Sequence, residues 1–571
     1  MLKLRRRKVL VFGEYAIVQV ILARFVEEGF EAWQKTRFRL PSVSDPNSLI
    51  EIRKILAEFS ADCIASSSEG FVHPGTTYWA ERSELPDVAQ EFGLTVFCPP
   101  MRVLSLFNNR LNFLAEADTL GIPHLVLSFD PMNTVREIEK FAQNVSPGFP
   151  FVLRAARGGG SLSSLTVQNS QSLQKVLPLW CDQLRWGHGE VILFAERALE
   201  SARRIAVPFA RFQDGRVQIF PMIDCSLQMN YQKVIEFCPA IHVDPEVRQN
   251  LVRWTSQFIG RCGFIGVGAM EFLVEGERAY LVEGLSRLNT GFHLWEKVAG
   301  TNAIAWQIAT SGRRLEKSTP AVRSESEWQN GIGLHVQAED SFLHLPQPGY
   351  IRKIIPESDH WKPNYQSDEW VSPSDTGVVA YLFVTTKSRK QCIPLARRAL
   401  CDFWIEGSVP VNTRFLLDLL DHPWVKEEIF HIQFIDEEFV PNFHLPQELK
   451  NLAISVCRAL EKRDLPSLAW HCPEETFVFD GGQGVSGSLD FPAGGQIRIC
   501  AFPVRHHWLV RIGSDSLQVN SSLRKKSGSA EGVRALKALV GGRVHAIFYL
   551  PKVWIQAHEV LVIIESFGIF V

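Results

Sequence analysis

The sequence predicts a mixed α/β and α+β fold: a parallel α/β layer, then a larger antiparallel sheet flanked by helices, then small β-rich pieces. Three observations carry that expectation. From Lys8 to about Pro99, short β-rich runs (VLVF, DCIASSS, LTVFCPP) alternate with helical patterns (AIVQVILARFVEEGF, SLIEIRKILAEFS, DVAQEFG), which suggests an open, mostly parallel layer. Further on, alternating strands cover VILFAE, RRIAVPFARFQDGRVQIFPMID and GAMEFLVEGERAYLVEG, with a helix between them at PEVRQNLVRWTSQFIGRCG, so a long antiparallel sheet is implied. Finally, 571 residues exceed what one hydrophobic core ordinarily supports, and roughly two to four domains are expected.

Between those regions a helical stretch surrounds LNFLAEADTLG, and an apolar run from Phe149 to Arg154 stops at ARGGGSLSS. Strand, Gly-rich turn and a helix from SLQKVLPLW make a phosphate-loop arrangement. After Gly331 comes another β-rich region, and KQCIPLARRALCDFWIEG reads as an amphipathic helix. The Gly/Ser-rich segments FDGGQGVSGSLDFPAGG and SSLRKKSGSAEG read as a loop and a linker.

Charge and cysteine usage narrow the function classes. The 60 basic and 62 acidic residues leave a net charge of −2, with no long basic run beyond Lys3 to Lys8, which argues against nucleic acid as a partner. Eleven cysteines occur without a CxxC pair or a histidine cluster at zinc spacing. They read as buried or free thiols of a reducing compartment, so a cytoplasmic protein without a disulfide framework is expected. The start, MLKLRRRKVLVFGEYAIVQVILARF, imitates a secretory signal, but Glu14 and Arg24 interrupt the apolar run before spanning length. No other window is long enough, and no membrane partner is expected.

The chemistry concentrates in EFLVEGERAYLVEGLSRLNTGFH, Glu271 to His293. On strands joined by a turn at Gly276 and Glu277, Glu271 and Glu283 project from one face, where apolar neighbours make an uncompensated pair costly. A cation should sit between them, and a divalent metal carrying a nucleotide triphosphate fits that need. Spacing alone equally allows both carboxylates to lie on a solvated face, as Glu275 and Glu277 are expected to do.

The order of motifs resembles the biotin carboxylase part of biotin-dependent acyl-CoA carboxylase α subunits, which are ATP-grasp enzymes. The resemblance runs from Lys8 to about Val440 through FGEYA at Phe12, HPG at His73 with Glu81 following, GLTVFCPP at Gly93, GIPHLV at Gly121 and the glycine loop. It continues through DCSLQMNYQKVIEFCPA at Asp224, GVGAMEFLVEG at Gly266, GLHVQAED at Gly333, QPGYIRKI at Gln347 and VNTRFLLDLLDHPWV at Val411. It implies a biotin carboxylase-type ATP-grasp fold: an N-terminal α/β domain over 1–125, a glycine-loop lid over 126–202 and a C-terminal antiparallel sheet domain over 203–440.

The same resemblance implies a nucleotide site. Glu196 in LFAERAL matches the hinge glutamate, beside Leu199, and Gln228 matches a neighbouring polar contact. Both family lysines that hold ATP are arginine here, Arg110 and Arg154. Guanidinium is a planar fork where ammonium is a compact point, so phosphate geometry need not carry over. Gly158, Gly159 and Gly160 form the glycine loop, and Glu271 and Glu283 match the metal glutamates, but the asparagine two residues on is Leu285. ATP and Mg²⁺ are the implied cofactors, the metal weakened by that loss. Lys233 and Arg287 match the bicarbonate-binding pair, with the alternative that they serve only as internal ion-pair partners. Asn289 stands for a glutamine, two histidines near the nucleotide are replaced by Arg204 and Tyr231, and the general-base glutamate is replaced by Gly291. The next histidine is Phe292, with His293 one place late. His73 reads as a structural turn residue.

At the C-terminal end, 441–530 is weakly similar to the linking domain that binds the carboxyltransferase, its WLVRIGSDSLQVN hairpin the clearest remnant, and 531–571 resembles the first half of a biotin carrier. The acceptor lysine of that carrier falls at Gly568, so no covalent biotin is expected, and a half barrel would leave unpaired edges. Together these departures imply a degenerate α-subunit homologue, structural or regulatory in a carboxylase. Its expected partners are a carboxyltransferase β subunit, an active biotinylated α-subunit paralogue, or both, with a homodimer by resemblance. The alternative is an active carboxylase served by biotin in trans, or an ATP-grasp ligase with another acceptor.

Overall fold

Four short strands near the N-terminus, β1 (Arg7–Val11), β2 (Glu31–Ala32), β3 (Glu69–His73) and β4 (Thr95–Val96), form a sheet of order β2-β1-β3-β4 in the computed structural model of the chain. Every pairing is parallel, as the alternation of strand and helix patterns predicts. The structure describes residues 6–440 apart from 13–14, 34–47, 76–79, 81, 133, 145–148, 158–162, 170, 172, 174–175, 178–179, 182–183, 185–190, 200, 312–319, 340–348, 356–357, 359, 372–376, 408 and 410; beyond 440 it describes only the backbone of short strands between 470 and 570. The parallel layer closes because helix Ser48–Ala65 buries Ile52, Leu56 and Phe59 against Leu10 and Val72.

His73 ends β3 fully buried. Its Nδ1 accepts from the Gly75 N–H at 3.0 Å and its Nε2 lies 2.9 Å from Gln307 Oε1, a geometry that fits the neutral ring with its proton on Nε2. Burial pushes its pKa down to about 4 against the lesser pull of Gln307. The HPG histidine is therefore a turn fastener, as its sequence context suggests.

The second layer consists of β5 (Val126–Met132), β6 (Phe151–Ala155), β7 (Ser164–Val167) and β8 (Leu193–Arg197), in the order β5-β8-β6-β7. Here the sequence expectation needs correction. The segment with Gly158, Gly159 and Gly160, itself outside the described residues, does not lead directly from strand to helix. It joins β6 to an antiparallel partner, with Phe151 opposite Val167 and Arg154 opposite Ser164. The alternation of SLTV supports that strand, burying Val167 while leaving Thr166 half-exposed.

The large sheet follows: β9 (Arg203–Arg211), β10 (Val217–Ile219), β11 (Ile223–Met229), β12 (Gln232–Cys238), β13 (Gly266–Glu275), β14 (Arg278–Leu285) and β15 (Asn330–Gln337). These strands lie in the order β14-β13-β9-β11-β12-β15 within the sheet, with β10 paired on β9. Neighbouring strands in this order pair antiparallel. The predicted helix forms as Pro245–Cys262, started by Asp244, whose side chain accepts from the Glu246 and Val247 N–H groups, and stopped by Gly263 at φ +67°. It packs Leu251, Phe258 and Ile259 into the same core as Phe272 and Leu281 of the hairpin.

Residues 1–334, 383–396 and 424–438 make one compact unit, and 335–382, 397–423 and 439–571 a second. In the second, strands Gly349–Ile355, Glu369–Val371 and Trp404–Gly407 form an antiparallel sheet. The expected WLVRIGSDSLQVN hairpin is present as His507–Ile512 against Asp515–Asn520. Val562–Ser566 pairs with Ile569–Phe570, while Gly568 lies outside the described residues.

Candidate active site

The β13–β14 hairpin turns at Gly276 (φ +59°) and Glu277, as the sequence predicts. Regular pairing runs from Glu275 opposite Arg278 to Phe272 opposite Leu281; a bulge at Val282 then brings Glu283 directly opposite Glu271. A bulge inserts one residue and re-aims its neighbours, and here it makes the acidic pair. The strand packs closely behind that pair: a Cβ on Gly284 would lie 2.5 Å from Phe107 and 2.6 Å from Phe113. Glycine thus lets helix Arg110–Thr119 approach β14 and deliver Arg110 to the pair.

The cation between the carboxylates is Arg204. It sits on β9, opposite Leu273 of β13, and spans both acids: Nε donates to Glu271 Oε2 at 2.5 Å and Nη2 donates to Glu283 Oε1. Lys233 on β12 donates to Glu271 Oε1 at 2.9 Å, and Arg110 Nη2 to Glu283 Oε2 at 2.6 Å. All four carboxylate oxygens are therefore occupied by nitrogen donors. Glu271 is 1 % exposed, which overturns the solvated-face alternative for it.

Burial works against ionising Glu283, but Arg110 and Arg204 outweigh it and hold its carboxyl well below the usual carboxylate range. For Glu271 burial is likewise outweighed, by Arg204 and Lys233, and its pKa is lowered. Burial also disfavours the charges on Arg204 and Lys233, yet Glu271 and Glu283 keep the first, and Cys225 with Glu271 and Glu236 the second, above its ordinary value. The cluster is charged throughout.

These residues line a cavity of about 250 Å³ with Arg154, Tyr231, Leu285, Arg287 and Asn289. Tyr231 enters at the two-residue turn between β11 and β12, where it and Asn230 both have positive φ. Its ring lies 5.2 Å from the Arg154 guanidinium and its hydroxyl 2.6 Å from Thr166 Oγ1. Arg154 donates from Nε to Glu196 Oε2 at 2.9 Å and from Nη1 to Ser164 Oγ. Glu196, the matched hinge residue, is thus an ion-pair partner of the lid strands. Leu199 packs with Leu125, Ala202, Leu273 and Val282, and Gln228 is buried opposite Lys233.

Gly291 caps helix Phe292–Ala299, and a Cβ there would lie 3.0 Å from Glu236 Oε1 and 3.1 Å from Ile223 Cδ1. His293 does not face the cavity chemistry. It bonds Glu296 Oε1 through Nδ1 at 2.7 Å and rests edge-on against Phe383.

Sequence reasoning placed the acidic pair, Lys233, Arg110 and Arg287 at one cavity, but missed Arg204 as the bridging cation. The available signal was RRIAV, where charges open a strand that then runs apolar from Ile205 to Ala210. As arranged, the pair does not fit a divalent ion, which requires free oxygen ligands at about 2.0–2.1 Å for Mg²⁺. Among the described residues no group of three or more His, Cys, Asp or Glu side chains is placed to hold a metal.

Strand order, lid and carboxylate hairpin together define a biotin carboxylase-type ATP-grasp fold. Residues 109–318 match the family described as carbamoyl-phosphate synthase L chain, ATP binding domain. The chain is 27 % identical over 362 residues to a biotin carboxylase of Halalkalibacterium halodurans, covering 62 % of this chain and 78 % of that one. It is also 27 % identical over 376 residues to mitochondrial pyruvate carboxylase of Rattus norvegicus, covering 64 % of this chain but 31 % of that protein. Among solved structures, the biotin carboxylase domain dimer of Hydrogenobacter thermophilus 2-oxoglutarate carboxylase, in complex with MgADP, ADP and bicarbonate, superposes with a TM-score of 0.67 at 20 % identity, over 77 % of this chain and all of that one. The chain contains a biotin carboxylase-like ATP-grasp domain. No helix among the described residues is long and apolar enough to cross a membrane.

Proposed function

We propose that this chain is a catalytically degenerate biotin carboxylase-like protein that binds ATP without carboxylating biotin and serves as a structural or regulatory component of a biotin-dependent acyl-CoA carboxylase. The observation that carries this reading is Gly291. The position matched to the general base has no side chain, and the space beside it is bounded by Glu236 and Ile223. Removing a positioned base typically costs about 10²- to 10⁴-fold in rate. Lys233, matched to a bicarbonate ligand, is committed to Glu271 at 2.9 Å and stands 3.6 Å from Glu236. Its ammonium therefore meets a bound anion only as part of an ion-paired cluster.

In this reading the cavity positions and neutralises an anionic ligand through Arg110, Arg204 and Arg287, while no side chain at 291 takes the proton from bicarbonate. A second reading, an active carboxylase that receives biotin from another chain, draws support from Lys233, Arg287, Glu271 and Glu283 lining one cavity. Bicarbonate-dependent ATP cleavage with free biotin separates the two. The expected rate is no higher than that of the Lys233→Ala variant; a rate well above it overturns the degenerate reading. Isolation from the protein's own cells in mild salt, followed by mass spectrometry, is expected to recover carboxyltransferase and biotinylated chains.

A further inference from the structure

We propose that Arg204 is a built-in replacement for a divalent cation, and that the cavity beside it binds a phosphate-bearing anion of the di- or triphosphate class without metal. The first half rests on geometry: one guanidinium spans both carboxylates, Lys233 and Arg110 take the two remaining oxygens, and an entering ion would meet three fixed positive charges. A planar fork suits this bridging task, because Nε and Nη2 are separate donors held in one plane and each reaches a different carboxylate.

The second half rests on what the cluster leaves over. Among the described residues five basic side chains and two carboxylates line the cavity; even with Arg154 paired to Glu196 and Lys233 near Glu236 behind the wall, positive charge remains in excess. Arg110 is 8 % exposed, and its Nε and Nη1 have no partner among the described residues; Asn289 is 5 % exposed with its Nδ2 in the same condition. Buried donors without acceptors are costly, and both residues line the cavity. A polyanion answers several such donors at once, and paired N–H groups of arginine match phosphate oxygens.

This inference rests on the nucleotide-binding part of the proposed function, but it is read by binding, so carboxylase turnover bears on that function alone. Calorimetric titration of the full chain with ATP and with inorganic triphosphate, each in EDTA and in excess Mg²⁺, is the test. The expected result is an affinity that changes less than about threefold between the two conditions. Mn²⁺ titration followed by electron paramagnetic resonance is expected to show no bound ion in the wild type and one gained in Arg204→His. Arg204→Ala, which removes the bridging cation and leaves both acids with free oxygens, provides the same comparison should the histidine variant not fold. An Mg²⁺ enhancement of about tenfold or more in the wild type, stoichiometric Mn²⁺ binding by the wild type, or no binding of either anion in either condition would each overturn the proposal.

Discussion

Two buried carboxylate networks in the first unit look alike in composition and differ in use. Glu296 is closed off: its oxygens take His293 Nδ1 at 2.7 Å, Arg24 Nη2 at 3.1 Å and the Ala303 N–H at 3.1 Å, fastening helices Tyr15–Glu27, Phe292–Ala299 and Ala303–Thr310. The Glu271–Glu283–Arg204 network also has its carboxylates satisfied, yet it stands at a cavity wall where Arg110 keeps two donors without partners among the described residues. Complete pairing marks a joint; surplus donors at a cavity mark a place for something else. Buried charge alone distinguishes neither.

The largest effect that would sharpen the contrast is on stability. Glu296→Ala leaves Arg24 facing the vacated site and is expected to cost about 3–5 kcal/mol in urea unfolding, with no recovery on adding ATP or Mg²⁺. Arg204→Ala is expected to lose a similar amount but to regain part of it with Mg²⁺, because the acidic pair then has oxygens to offer. Recovery in both variants, or in neither, would erase the distinction.

Acid titration separates the charged cluster from a neutral buried group. His73 has a folded pKa of about 4 against an ordinary 6.5, so the unfolded chain takes up its proton first. Stability is intact above 6.5, falls as the pH drops toward 4, and the loss from this group reaches about 3 kcal/mol. His73→Gln should flatten that window in pH-dependent urea unfolding. Glu271 and Glu283 have folded pKa values below their ordinary 4.5. Their contribution is present above that value and is lost only as the pH falls further through the folded values. Loss of the Glu271 and Glu283 contribution near neutrality would contradict the ion-paired cluster.

The smallest expected effect is at the helix cap. Gly291→Glu places a Cβ 3.0 Å from Glu236 Oε1, and overpacking beside a carboxylate should destabilise the chain by about 1–3 kcal/mol. Thermal unfolding reads that cost. The same variant assayed for bicarbonate-dependent ATP cleavage asks whether a base is all that is missing; we expect no recovery, because Lys233 and Arg204 remain committed to the acidic pair.

Much of this was legible in the sequence, for identifiable reasons. The parallel layer follows from regular alternation of strand and helix patterns, and the β13–β14 hairpin from its turn residues and apolar ladder. The acidic pair was legible as a demand for a cation. Its answer was not, because Arg204 lies sixty-seven positions before Glu271 and reaches it only through the β9–β13 register. The bulge at Val282 was hidden as well, since period-two counting has no signal for an extra residue. The glycine segment misled: glycines after a strand fit a turn into a helix as readily as a turn into an antiparallel partner, and only the pairing with Ser164–Val167 decides.

The bridging arginine also bears on how such a site changes over generations. A diffusible ion is taken from the cell's supply and can be chelated away, whereas a guanidinium between Glu271 and Glu283 arrives with the chain at synthesis, one per molecule. Arginine and histidine codons can differ by a single base. A pocket that carries its own cation and one that must recruit it are therefore neighbours in mutational space, separated at position 204 by one substitution within an unchanged sheet.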